Sequence, residues 1–239
     1  MRYTLRNMVV GLAVLCFVAA GSARANIIID DFEVPAQQTI VRDDTGTTAG
    51  TENASDESPN IIGGFRDVSL EVTSDDGTQE TTVTYPDAGE FSVDNAGNQQ
   101  SIVTITYDGS GTPGTGFGPE DLSSLPFLSV QIASAANQSN LDILLTDTSG
   151  NFDSQDQNFD AFDIGDSVQF AMSGFTQGAG SPGVVDLTTI DEIVVTLTAN
   201  QAGADARFDF IQVTPEPTAV VLLGLVALVG LVRRPGRDG

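Results

Sequence analysis

The chain has no histidine and no lysine, and its one cysteine, Cys16, lies in an apolar run near the N-terminus. A Ser–His or Cys–His nucleophile pair, a Schiff-base lysine and an imidazole zinc site each need one of these side chains, so none of them is open to the chain beyond that run. What survives is carboxylate chemistry, as a glycosidase-type acid–base pair or a metal-assisted reaction. A working pair needs one carboxyl raised by an apolar pocket. Among 33 Asp and Glu no two stand out by type or spacing. The chain reads as non-enzymatic, with a carboxylate-dependent glycoside hydrolase as an alternative.

Binding chemistry has few carriers too. Sugar recognition through ring stacking falls to Tyr85 and Tyr107, because there is no tryptophan and Tyr3 lies ahead of the export cleavage site read below. Both sit in or beside expected strands, where tyrosine is a core or edge residue with its hydroxyl at the surface; a ligand platform is the alternative. Arg66, in Gly63-Gly-Phe-Arg-Asp67, is expected to be a buried structural anchor among many acids. The glycine-rich stretch Tyr107–Ser124 lacks the Gly-Lys-Ser/Thr of a phosphate loop. The Asp-rich stretch Thr146–Ser167 reads as a long solvated loop. It does not have the ligand spacing of an EF-hand, though cation binding there is a weaker alternative.

These residues must be positioned by a β-rich domain. Leu128/Val130/Ile132, Leu141/Ile143/Leu145 and Ile193/Val195/Leu197 alternate apolar with polar, the period of a half-buried strand. NIIIDDFEV, QQTIVRD, RDVSLEVTS, TTVTYP, EFSVD, SIVTITYD, SVQFAMSGF and ARFDFIQVT are further strands, punctuated by turns at SDDGT, DNAGN, TSGN and SPGVV. No stretch between the termini has a helical period. The fold class is all-β, an antiparallel β-sandwich of jelly-roll-like character.

The termini set the location. Arg2 and Arg6, the apolar run Met8–Gly21 and the small residues Ala23 and Ala25 form a secretory signal peptide over 1–25, with cleavage after Ala25. Residues 26–213 then hold 31 acids (33 less Glu216 and Asp238) against Arg42, Arg66 and Arg207, a net charge of −28. Such a surface repels nucleic-acid phosphates and anionic headgroups and attracts divalent cations. Residues 214–239 carry Pro215-Glu216-Pro217, an apolar run Ala219–Val232 and a basic cluster at Arg233, Arg234 and Arg237. The run is short for a span but obeys the positive-inside rule, so a transmembrane helix is expected over 218–232.

Together these three parts, in this order, resemble the PEP-CTERM sorting signal of exported bacterial proteins, with Pro215, Glu216, Pro217, Arg233 and Arg234 as the motif. The resemblance implies signal peptidase and a membrane-embedded exosortase as processing partners. It also implies a membrane-bound sorting intermediate, and delivery to the cell surface or extracellular matrix. IIIDDFE and ARFDFIQV, which open and close the domain, resemble the first and last strands of galactose-binding-like jelly rolls. That likeness implies that the two strands pair, with Asp31, Glu33 and Asp209 as ligands of a structural Ca2+. The expected function is a non-enzymatic surface or matrix protein. A carbohydrate-binding module recognising exopolysaccharide is the alternative.

Overall fold

The computed structural model describes residues 26–33, 38–42, 51–57, 61–74, 80–87, 89–109, 116–160 and 165–214. The signal peptide expected over 1–25 and the helix expected over 218–232 lie outside these residues. Among the described residues no helix is long and apolar enough to cross a membrane.

Alternation becomes structure in the long strands. In β4 (Phe65–Ser74), β7 (Gln100–Tyr107), β9 (Ser139–Asp147) and β13 (Ile190–Ala199) every second side chain is buried. Leu141, Ile143 and Leu145 have no exposed surface. The other strands are β1 (Ile27–Asp30), β2 (Gln38–Arg42), β3 (Thr51–Glu57), β5 (Thr81–Asp87), β6 (Glu90–Asn95), β8 (Phe127–Ala135), β10 (Phe152–Phe159), β11 (Ser167–Ala171), β12 (Thr176–Gln177) and β14 (Ala206–Thr214). Among the described residues, two 3-10 turns, Ile62–Gly64 and Met172–Gly174, accompany the strands.

The strands form two seven-stranded antiparallel sheets. The first runs β11-β8-β14-β6-β5-β2, with β1 also on β14; the second runs β12-β10-β9-β13-β7-β4-β3. Their apolar faces close on one core, through which a chain of rings runs: Tyr85 to Phe91 (5.7 Å), Phe91 to Phe208 (6.1 Å) and Phe208 to Phe159 (6.0 Å). Burying both inner faces is what a two-sheet architecture requires. The first and last strands of the domain do pair, Ile27 opposite Val213 and Ile28 opposite Gln212.

Three strands were not legible as strands. β3 and β12 are polar and lie at the two edges of the second sheet. β10 overturns the reading of Thr146–Ser167 as a loop, since Phe152–Phe159 pairs along its whole length with β9. Its sequence, FDSQDQNF, hides the period because three of the four inward residues, Asp153, Gln155 and Gln157, are polar and only Phe159 is apolar.

Candidate functional site

A bulge in β1 decides what the acidic opening of the domain does. The register slips between Ile28 and Asp30, so Ile29 and Asp30 are both buried. Inside, Asp30 Oδ2 accepts hydrogen bonds from Arg66 Nη1 (2.5 Å) and Tyr107 Oη (3.0 Å), while Oδ1 accepts the Phe32 N–H (2.9 Å). That last bond holds Phe32 at a φ of 49°, an unusual place for a bulky residue. The Arg66 guanidinium lies between the rings of Phe32 (5.1 Å) and Tyr85 (4.8 Å). Arg66 is thus the buried anchor expected from the sequence. Burial pushes the Asp30 carboxyl up, against the opposing pull of Arg66 and the hydrogen bonds.

This hub removes the aromatic platform. Tyr85 and Tyr107 have no exposed surface, so neither ring can meet a sugar, and neither hydroxyl lies at the surface. Burial, with the Asp30 charge, raises the Tyr107 phenol well above its ordinary range.

Of the residues implied as calcium ligands, Asp31 is half-buried, and Glu33 and Asp209 are exposed. Asp31 Oδ1 accepts the Glu33 N–H at 3.2 Å. Asp31 also rims, with Glu120, a groove of about 440 Å³ floored by Ile27, Ile28, Ile61 and Ile62. Among the described residues no three Asp, Glu, Cys or His side chains are grouped as a metal centre. Ala23, Ala25, Pro215, Glu216, Pro217, Arg233 and Arg234 lie outside the described residues.

A polar pocket that the sequence did not announce lies on the outer face of the first sheet. Ser92 of β6, Arg207 of β14 and Ser134 of β8 stand side by side across three strands. Continuing the same register places Asp94 opposite Asp205. These side chains, with Val93, Ala135 and Ala136, line a cavity of about 220 Å³. Asp205 Oδ1 accepts the Asn95 N–H at 2.8 Å, and the Asp205 backbone carbonyl accepts the Ala136 N–H at 2.8 Å, so the pocket wall is pinned to both neighbouring strands. Burial pushes the Asp205 carboxyl up; the Asn95 N–H and Arg207 pull it down, whereas Asp94, within hydrogen-bonding reach, pushes it further up. Arg207 is about half exposed and reaches Glu90 at 3.7 Å. The pocket therefore gathers a carboxyl pair, a guanidinium and two hydroxyls, with Ser92 buried in its wall.

The outer face of the second sheet is largely polar, with Ile102, Leu144 and Val194 among its apolar members. One row reads Asp156, Asp142, Thr196, Thr104 and Ser69 from β10 to β4. Burial and the facing Asp156 raise the Asp142 carboxyl. At the end of the same sheet, Asp147 ties two loops together. Its Oδ1 accepts the N–H groups of Ser149 (2.8 Å) and Asn151 (3.0 Å), and its Oδ2 accepts Asn151 Nδ2 (2.9 Å) and the Asp186 N–H (2.9 Å). Burial works against the charge, but these donors outweigh it and hold the carboxyl below its ordinary range. This acid of the Asp-rich stretch is a latch.

No family model matches the sequence, and no curated protein matches it. Among solved structures the chain is similar to the family 11 carbohydrate-binding module of a cellulosomal cellulase from Clostridium thermocellum. The two are 17% identical with a TM-score of 0.40, over 81% of this chain and 96% of that one. The family 30 module of another cellulosomal cellulase from Clostridium thermocellum is 8% identical with a TM-score of 0.36, over 81% and 99%. An exo-beta-agarase is 13% identical with a TM-score of 0.37, over 82% of this chain and 25% of that one. Similarity at this level transfers no function.

Proposed function

We propose that this is an exported, non-catalytic protein of the cell surface or extracellular matrix, whose sandwich engages glycan hydroxyls at the Ser92/Asp94/Ser134/Asp205/Arg207 pocket. The observation that carries the reading is the composition of that pocket. Carboxylates accept from sugar hydroxyls, a guanidinium donates to them, and serine hydroxyls do either. A few convergent polar groups are what fix a ligand's orientation at a binding site.

The hydrolase alternative fits the same residues less well. Glycosidase carboxyls stand about 5–10 Å apart so that a sugar or a water fits between them, whereas Asp94 lies within hydrogen-bonding reach of Asp205. That spacing leaves no room for a glycosidic bond between them.

Delivery rests on the PEP-CTERM resemblance of residues 214–239, with exosortase acting on a membrane-held intermediate. Intact-mass analysis of envelope and matrix fractions tests it: a shortened C-terminus outside the membrane is expected, and full-length chain in membranes alone overturns it. For the domain, titration calorimetry against a panel of soluble neutral and acidic polysaccharides is the test. Saturable binding to at least one member is expected, and no heat from any of them overturns the reading.

A further inference from the structure

The polar inward side of β10 has a second consequence. Asp153, Gln155 and Gln157 alternate along the strand facing the seam where β10 meets β11, the edge strand of the other sheet. Gln157 is satisfied across this seam, its Nε2 donating to the Gln169 carbonyl at 2.6 Å. The other two are not. Asp153 is only 3% exposed, and its Oδ1 has no hydrogen-bond partner among the described residues; the buried Oε1 of Gln155 has none either. The fold makes room for that amide at Gly174, where a Cβ would stand 2.8 Å from Gln155 Nε2 and 3.0 Å from its Oε1.

A buried carboxylate needs a counter-charge or donors, and the three arginines of this unit are elsewhere. Arg66 is paired with Asp30, and Arg207 lies on the outer face of the first sheet near Glu90. Arg42 is on β2, at the opposite edge of the first sheet from β11. No arginine is placed at the seam, so a counter-charge there would come from solution, which a domain of net charge −28 enriches in cations.

We propose that the β10–β11 seam binds a calcium ion through the Asp153 carboxylate and the Gln155 side-chain carbonyl. Both are hard oxygen ligands. Calcium accepts such mixed sets, completed by backbone carbonyls and water, whereas magnesium demands a near-ideal octahedron and sheds water reluctantly. A single carboxylate places the affinity in the weak range of extracellular modules, a Kd on the order of 10⁻⁴–10⁻³ M. The site is separate from Asp31, Glu33 and Asp209, and it does not depend on the glycan pocket.

The test uses the exported protein stripped with EGTA. It is melted and titrated calorimetrically with CaCl2, MgCl2 and NaCl at constant ionic strength. Calcium is expected to raise the melting temperature saturably, and magnesium to do so weakly or not at all. Asp153→Asn is expected to melt higher than the parent without metal and to lose the calcium response. Asp142→Asn, on the outer face, is expected to keep it. Gln155→Leu keeps the carboxylate and should weaken calcium binding about tenfold, which gives a second reading if Asp153→Asn does not fold. A calcium response unchanged in both seam variants, an equal response to calcium and magnesium, or no response in the parent overturns the proposal.

Discussion

Removing the Arg66 cation should be the most damaging single change to this fold. Arg66→Met keeps a long apolar stem between Phe32 and Tyr85 but leaves the Asp30 carboxyl buried without its counter-charge. Its remaining partners are then the Tyr107 hydroxyl and the Phe32 N–H. Breaking a buried pair from one side costs about 3–5 kcal/mol. The guanidinium also lies over two ring faces, at 5.1 and 4.8 Å, and giving up that attraction as well places the variant toward the upper end. For a unit of this size each kcal/mol moves the midpoint by roughly 2–4 °C, so a drop of about 6–20 °C is expected in a calorimetric melt. Adding Asp30→Asn should recover part of it, because the charge that lost its partner goes as well. The double-mutant cycle should then show coupling of about 1–3 kcal/mol. A loss below about 1 kcal/mol, or strict additivity of the two changes, would refute the reasoning that the hub is a single charged unit.

Other consequences follow from the same geometry. Asp147→Asn turns an acceptor of four hydrogen bonds into a mixed group facing donors, and urea titration should show a loss of about 2–4 kcal/mol. The pH profile of stability should pass through a maximum in mild acid. Burial, reinforced by a neighbouring carboxylate in each case, raises Asp67, Asp142 and Asp191 above 3.8. The folded state therefore takes up protons first, and stability rises as pH falls from neutrality toward that value. Asp147 is lowered below 3.8, so its contribution is intact there and is lost only as pH falls through its folded value; melting curves from pH 7 to 2 would show both limbs, and a monotonic decline from pH 7 would contradict them. Gly63→Ala should destabilise by more than about 1 kcal/mol in the same assay, because φ is +71° and a Cβ would strike Phe117 and Gly109 of the glycine-rich stretch.

How far the sequence could be read depended on where each residue's partner lies. β4, β7, β9 and β13 were legible because their inward side chains are apolar, so burial writes itself into the period. β10 was not, since its inward side carries Asp153, Gln155 and Gln157 against a seam rather than against the core. Asp30 would point outward by simple alternation after the buried Ile29; the bulge opposite β14 turns it in, and no local signal marks that slip. The pocket was hidden for a different reason. Asp94 and Asp205 are 111 residues apart, and only the register of β6 on β14 brings them together. Tyr85 and Tyr107 were placed in or beside strands, but the hub that buries their hydroxyls needs Asp30, Phe32 and Arg66, again through long-range pairing.

A glycan bound at the pocket on the first sheet must perturb the residues that line it. Backbone chemical-shift mapping with a polysaccharide fragment from the binding panel tests this most directly. Concentration-dependent shifts centred on Ser92, Asp94, Ser134, Asp205 and Arg207 are expected, and roughly ten- to a hundredfold weaker binding by Arg207→Ala, the loss of a hydrogen bond from a charged donor. Shifts centred on the Ile28 groove or the outer face of the second sheet, with Arg207→Ala binding as tightly as the parent, would contradict it.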